Sequence, residues 1–182
     1  MSKIKKPIDI QGMEVSVSGQ QVNFKGKKGS GVFVVPQDFE VTLSDTKLFL
    51  KPRVQTGSRD LKMMWGMNRA LLENKIVGTQ TPFEKKLQIN GLGFKALAAG
   101  KKLEFSLGYS HKMHYELPQE VTVEIDKTGQ LLTFRSIDKE MLGAVCDRIR
   151  SFRPPEPYKG TGIKLTTETI IRKAGKAKST AG

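Results

Sequence analysis

Leu117-Pro118-Gln119-Glu120-Val121-Thr122-Val123-Glu124-Ile125-Asp126-Lys127-Thr128-Gly129-Gln130-Leu131-Leu132-Thr133-Phe134 reads as one stiffened hairpin. Proline rigidifies the approach. Val121, Val123 and Ile125 alternate with polar residues at the period of a half-buried strand, Thr128-Gly129 turns the chain, and Leu131 to Phe134 return. The period then lengthens: Met141, Leu142, Val145, Ile149 and Phe152 predict a helix, with Asp138 at its cap.

The same order occurs 82 residues earlier. Val35-Pro36-Gln37 precedes a strand around Val41 and Leu43, an Asp45-Thr46 turn, and the return Leu48-Phe49-Leu50. Leu61, Trp65, Asn68 and Leu72 then form one helical stripe, widened by Met64 and Leu71, with Ser58 as N-cap. Asn68 interrupts the stripe and needs a hydrogen-bond partner if buried. Short alternating runs precede each hairpin: Val15, Val17, Val22, Phe24 and Val32–Val35 in the first half; Leu87, Ile89, Leu103, Phe105, Leu107, Met113 and Tyr115 in the second. A proline-aromatic pair follows each helix, Pro82-Phe83 and Pro157-Tyr158. This repetition points to a duplication, two similar meanders of independent origin being the alternative. The expected fold class is α+β, as two tandem similar units, each an antiparallel sheet packed against one helix. The boundaries fall at 1–82 for the first unit, 83–170 for the second, and 171–182 for a basic C-terminal tail. No low-complexity linker separates the units, so they are expected to be rigidly related.

The formal net charge is +13, from 31 Lys+Arg against 18 Asp+Glu. That excess predicts a polyanionic partner, nucleic acid ahead of an acidic membrane surface. The tail Arg172-Lys173-Ala174-Gly175-Lys176-Ala177-Lys178 has no apolar periodicity and is expected to order only where a polyanion neutralises it. Cys146 is the single cysteine, which excludes an intramolecular disulfide and a cysteine-rich metal cluster; it shares a helical face with Leu142 and Ile149 and reads as a buried thiol. No apolar run approaches the ~20 residues needed to span a bilayer. A soluble, cytoplasmic protein with no membrane partner is expected.

Catalytic chemistry finds no foothold. His111 and His114 are the only histidines, and side chains three apart on a strand face opposite ways. No metal site is expected. Gly91-x-Gly93 lacks the third glycine and the Lys-Ser/Thr ending of a nucleotide loop and predicts a hairpin bend. Ser110 and Ser136 have no nucleophile-elbow setting. No enzyme, no cofactor and no small-molecule substrate are expected.

Pro155-Glu156-Pro157-Tyr158-Lys159-Gly160-Thr161-Gly162-Ile163 instead offers an aromatic face, a cation and two glycines over which a backbone could pass closely. Together with Pro82-Phe83-Glu84-Lys85-Lys86-Leu87, Gly91-Leu92-Gly93-Phe94-Lys95-Ala96, Leu107-Gly108-Tyr109-Ser110-His111, Lys6-Pro7-Ile8 and Lys25-Gly26-Lys27-Lys28-Gly29, it resembles, in order and spacing, the bacterial-type large-subunit ribosomal protein six family. The chain departs from that pattern at Lys112, where the family often has proline, and at Thr161, where it usually has lysine. The resemblance implies a structural constituent of the large ribosomal subunit. It would bind large-subunit rRNA near the base of the factor-binding stalk, beside neighbouring large-subunit proteins. It directly supports His111, Tyr158 and Lys159 as contacts, His111 serving either RNA or its own turn. Lys112, Arg153, Lys164, Arg172, Lys173 and Lys176 complete the candidate set on charge and position. A free-standing RNA-binding protein or RNA chaperone would share this composition.

Overall fold

The computed structural model describes residues 6–54 and 58–175. They fall into two compact units, one running to Phe83 and including Ile137–Lys139, the other comprising Glu84–Ser136 and the residues from Glu140 onward.

The first unit opens with β1 (Ile8–Asp9), followed by a meander of β2 (Glu14–Ser18), β3 (Gln21–Lys25) and β4 (Ser30–Val34). A hairpin of β5 (Phe39–Ser44) and β6 (Lys47–Pro52) leads to α1 (Arg59–Gln80). Two small antiparallel sheets result, β2-β3-β4 and β1-β6-β5. Ile8, Val22, Phe24, Phe39, Leu48 and Leu50 bury their side chains with Leu72 and Ile76 of α1. Burying each large aliphatic or aromatic side chain is worth about 1.5–3 kcal/mol. The helical stripe runs as its spacing predicts and continues to Ile76 and Thr79, while Met64 is exposed. Asn68 is buried and donates from Nδ2 to the Met64 carbonyl at 2.9 Å. Trp65 donates from Nε1 to the Leu50 carbonyl at 2.7 Å, tying α1 to β6. Ser58 occupies the N-cap position but makes no side-chain capping bond.

The second unit repeats the order. After β7 (Phe83–Asn90) come a meander of β8 (Lys95–Ala99), β9 (Lys102–Ser106) and β10 (Met113–Glu116), then a hairpin of β11 (Val121–Ile125) and β12 (Leu131–Ser136), then α2 (Lys139–Ser151). The sheets are β10-β9-β8 and β11-β12-β7-β13, the last strand being β13 (Gly162–Leu165). Each unit thus holds two small sheets where a single one was expected. Gly91-x-Gly93 is a bend between strands of different sheets rather than a hairpin, with the Phe94 amide donating to the Gly91 carbonyl at 3.3 Å.

Val35-Pro36-Gln37 and Leu117-Pro118-Gln119 do the same work in the two units. Val35 donates its amide to the Gln20 carbonyl at 2.8 Å, and Leu117 donates to Lys101 at 2.9 Å, each in the turn between the first two strands of a meander. The carbonyls of Pro36 and Pro118 accept the amides of Phe39 and Val121, three residues on, at 3.1 and 3.2 Å. Proline's fixed φ presets both turns, and each turn hands the chain from meander to hairpin. In α2, Leu142, Val145, Cys146 and Ile149 are buried, and Met141 is exposed. β13 has no counterpart in the first unit's order and pairs antiparallel with β7, Ile163 opposite Ile89.

A candidate RNA-binding surface on the second unit

The loop between α2 and β13 is closed by its own backbone. Glu156 donates its amide to the Thr161 carbonyl at 2.9 Å, and its carbonyl accepts the Gly160 amide at 2.9 Å. The Thr161 hydroxyl donates to Glu156 Oε2 at 3.0 Å. The departure at Thr161 therefore has a local account: a short hydroxyl neutralises hydrogen-bonding capacity on Glu156 inside the loop. Tyr158 and Lys159 project from this closed loop, with Tyr158 53% exposed.

The two glycines serve the protein's own chain, not a partner. Gly160 is buried with φ +73°, and a Cβ there would lie 3.3 Å from Nη2 of Arg172. A Cβ on Gly162 would lie 2.6 Å from the Pro154 carbonyl. The positive φ and the close guanidinium both favour glycine at position 160. The chain beyond β13 returns over the loop, where Lys173 donates its amide to the Pro157 carbonyl at 2.9 Å. The start of the tail, expected to be free until neutralised, is thus hydrogen-bonded to the loop. Tyr158, Lys159, Arg172 and Lys173 are all exposed and belong to these two joined segments. Arg150 of α2 grips Glu168 through Nε at 3.0 Å and Nη2 at 2.6 Å, fixing the turn from which the returning chain departs.

Arg153, at the end of α2, is spent internally. Its guanidinium donates to the Leu107 carbonyl and lies over the rings of Phe94 and Tyr109, at 4.9 and 5.0 Å from their centroids. Its own carbonyl accepts the Ile163 amide at 2.8 Å, so one residue orders both the Gly108-Tyr109 segment and the start of β13. Gly108 admits this arrangement: its φ is +75°, and a Cβ there would stand 2.7 Å from Phe94 and 3.3 Å from Arg153. Tyr109 donates its hydroxyl to the Phe152 carbonyl at 3.2 Å and stacks with His111, centroids 6.0 Å apart and planes 18° apart. His111 is exposed in the turn before β10.

Of the other candidates, Lys112 pairs with Glu104 Oε1 at 2.6 Å while remaining exposed. Lys164 is half-buried on β13, opposite Gln88. Lys176 lies outside the described residues. Phe94 and Tyr109 were not among the candidates. The signal for them was Gly108: a glycine directly before an aromatic, inside a block of small and polar residues, marks a place where side chains crowd the backbone. Among the described residues no group of three or more His, Cys, Asp and Glu is arranged to hold a metal ion, and no helix is long and apolar enough to cross a membrane.

Comparison with known proteins places this geometry in a family. The model of the family described as Ribosomal protein L6 matches residues 90–165, which include Phe94, Tyr109, His111, Arg153, Tyr158 and Lys159. The protein named Large ribosomal subunit protein uL6 from Methylobacterium sp. (strain 4-46) is 43% identical over 180 residues, covering 98% of this chain and 100% of the relative. Proteins of the same name from Allorhizobium ampelinum and Brucella melitensis biotype 1 are 42% and 43% identical over the same extent. These relatives bear the name of a ribosomal constituent, and the family is structural rather than enzymatic. The chain belongs to the ribosomal protein L6 family.

Proposed function

We propose that this chain is a structural, non-catalytic constituent of the cytoplasmic large ribosomal subunit, binding large-subunit rRNA near the base of the factor-binding stalk beside neighbouring ribosomal proteins. Full-length identity of 42–43% to proteins named for that subunit supports the reading. The observation that carries it on this molecule is the docking of the returning chain on the Tyr158 loop, which joins Tyr158 and Lys159 to Arg172 and Lys173 on ordered backbone. Cations on ordered backbone can displace counterions from phosphates without first meeting the cost of ordering a tail. The second unit, 83–170, carries this surface, with Lys164 on β13 beside it, and Lys176 joins the proposed contacts on charge alone. Arg153 serves the surface by positioning it, and Lys112 by a charge shared with Glu104.

The test is the salt dependence of binding to large-subunit rRNA. Lys159→Ala and Lys173→Ala should each flatten the plot of log affinity against log salt by about 0.7–0.9, the effect of one phosphate contact. Unchanged slopes in both variants would remove this loop from the RNA interface. Co-sedimentation with the large subunit at moderate salt separates a resident protein from a free-standing RNA-binding factor.

A further inference from the structure

Tyr109 combines two properties that rarely occur together. It is 46% exposed, yet it is held at its hydroxyl by Phe152, over its ring by Arg153 and by a near-parallel stack with His111, so that the two rings act as one ordered pair. An ordinary surface tyrosine keeps its rotamer freedom and must give it up on binding. Here that loss already belongs to the fold, so a ligand stacking on the ring meets an ordered face. Tyr158 differs: it is exposed but has no ring partner among the described residues.

A phosphate has no use for an aromatic face, whereas a nucleobase does. In an A-form duplex the base faces are covered by their neighbours, so only an unpaired base can present one. The near-parallel Tyr109 and His111 rings sit in the turn that precedes β10, and both are exposed at the surface.

We propose that Tyr109 and His111 form a stacking platform for an unpaired RNA nucleobase, with Arg153 as the positioning residue that holds the Tyr109 ring in place. This rests on the RNA-binding reading above and adds base recognition to it. Arg153 acts at a distance from the base: its planar guanidinium over the ring and its bond to the Leu107 carbonyl set where the tyrosine stands. Lysine, lacking the plane and the fork, could not do both.

The test uses the full chain and large-subunit rRNA. Ultraviolet cross-linking followed by mass spectrometry should find a nucleotide attached within the peptide carrying Tyr109 and His111, and chemical probing of the free rRNA should show that nucleotide unpaired. His111→Ala and Tyr109→Leu should each weaken binding about tenfold, in the range of one lost base stack, with the salt slope unchanged. Arg153→Lys should lower the cross-link yield at Tyr109 while leaving the slope intact, which loss of a phosphate contact would not do. If His111→Ala binds as tightly as the natural chain and no cross-link falls at 109–111, the platform is refuted. In that case the RNA-binding reading survives only if Lys159→Ala and Lys173→Ala still flatten the slope. A cross-link to a base-paired nucleotide also overturns the platform, and absence of any salt-dependent binding by the natural chain overturns both readings.

Discussion

Replacing Arg153 by alanine separates a cation kept for RNA from one built into the fold. The guanidinium makes one hydrogen bond to the Leu107 carbonyl and two ring contacts, at 4.9 and 5.0 Å. A hydrogen bond involving a charged group contributes about 1.5–3 kcal/mol, and each cation–ring contact at an exposed site about 0.5–1 kcal/mol. One partly exposed group supplies all three, so they do not simply add; a loss of about 2–3 kcal/mol is expected. Trp65, the only tryptophan, lies in the first unit, so its fluorescence is a poor reporter of this change. Amide hydrogen exchange resolved by residue is the suitable assay. A loss of about 2–3 kcal/mol should speed exchange in α2 and β9 by roughly thirty- to a hundred-and-fifty-fold wherever those amides exchange through opening of the second unit. Arg153→Lys should recover part of the protection, because it can keep the bond or one ring contact but not the whole set. Unchanged exchange in Arg153→Ala, together with a clear fall in rRNA affinity, would refute the internal role and return the side chain to the phosphate backbone.

Two further outcomes follow from groups whose ionisation the fold shifts. Burial pushes the Cys146 thiol up to about 11, against a weaker opposing pull from Lys85, and the side chain is only 3% exposed. A thiol reagent at pH 8 should therefore leave the native protein unlabelled and react fully once it is denatured; rapid native labelling would break the register of α2. Glu168 is held below the usual carboxylate range chiefly by its hydrogen bonds from Arg150; burial opposes this, and the Leu165 amide adds a lesser pull in the same direction as Arg150. A depressed carboxylate stabilises the fold above its unfolded pKa of about 4.3, and that stability is lost as pH falls through the lower folded value. Glu168→Gln should thus cost about 1 kcal/mol at pH 7, the pair being partly exposed, and the difference from the natural chain should shrink as pH falls below about 4. An equal penalty at pH 7 and pH 3 would show that shape rather than charge matters there.

What the sequence made legible divides along physical lines. Both hairpins and helices were readable because binary patterning at periods of 2 and 3.6 reports burial directly, as Val121–Ile125 and Leu61–Leu72 show. Strand β8, Lys95-Ala-Leu-Ala-Ala99, was not readable: it holds no β-branched residue, and three of its side chains beyond Lys95 are exposed. Strand β13 was hidden for a different reason. Its Gly-Ile-Lys-Leu run follows a proline- and glycine-rich loop, and its pairing with β7 is a long-range fact that local pattern does not encode.

The nine residues from Pro155 to Ile163 illustrate the limit most sharply, because they carry two jobs that residue type alone cannot separate. Tyr158 and Lys159 are exposed, as a nucleic-acid contact requires. Glu156 and Thr161 close the loop through their own hydrogen bonds, and Gly160 and Gly162 admit atoms from other parts of the chain. Both glycines admit the protein's own atoms, Gly160 the guanidinium of Arg172 and Gly162 the Pro154 carbonyl, and neither contact is encoded in the local run of residues. A motif therefore locates the loop, and the returning chain decides which of its atoms are left exposed. Arg153 follows the same logic in reverse. Its charge suggests a contact, yet the half-buried guanidinium bonds the Leu107 carbonyl and lies over the Phe94 and Tyr109 rings, a role within the fold that residue type alone does not announce.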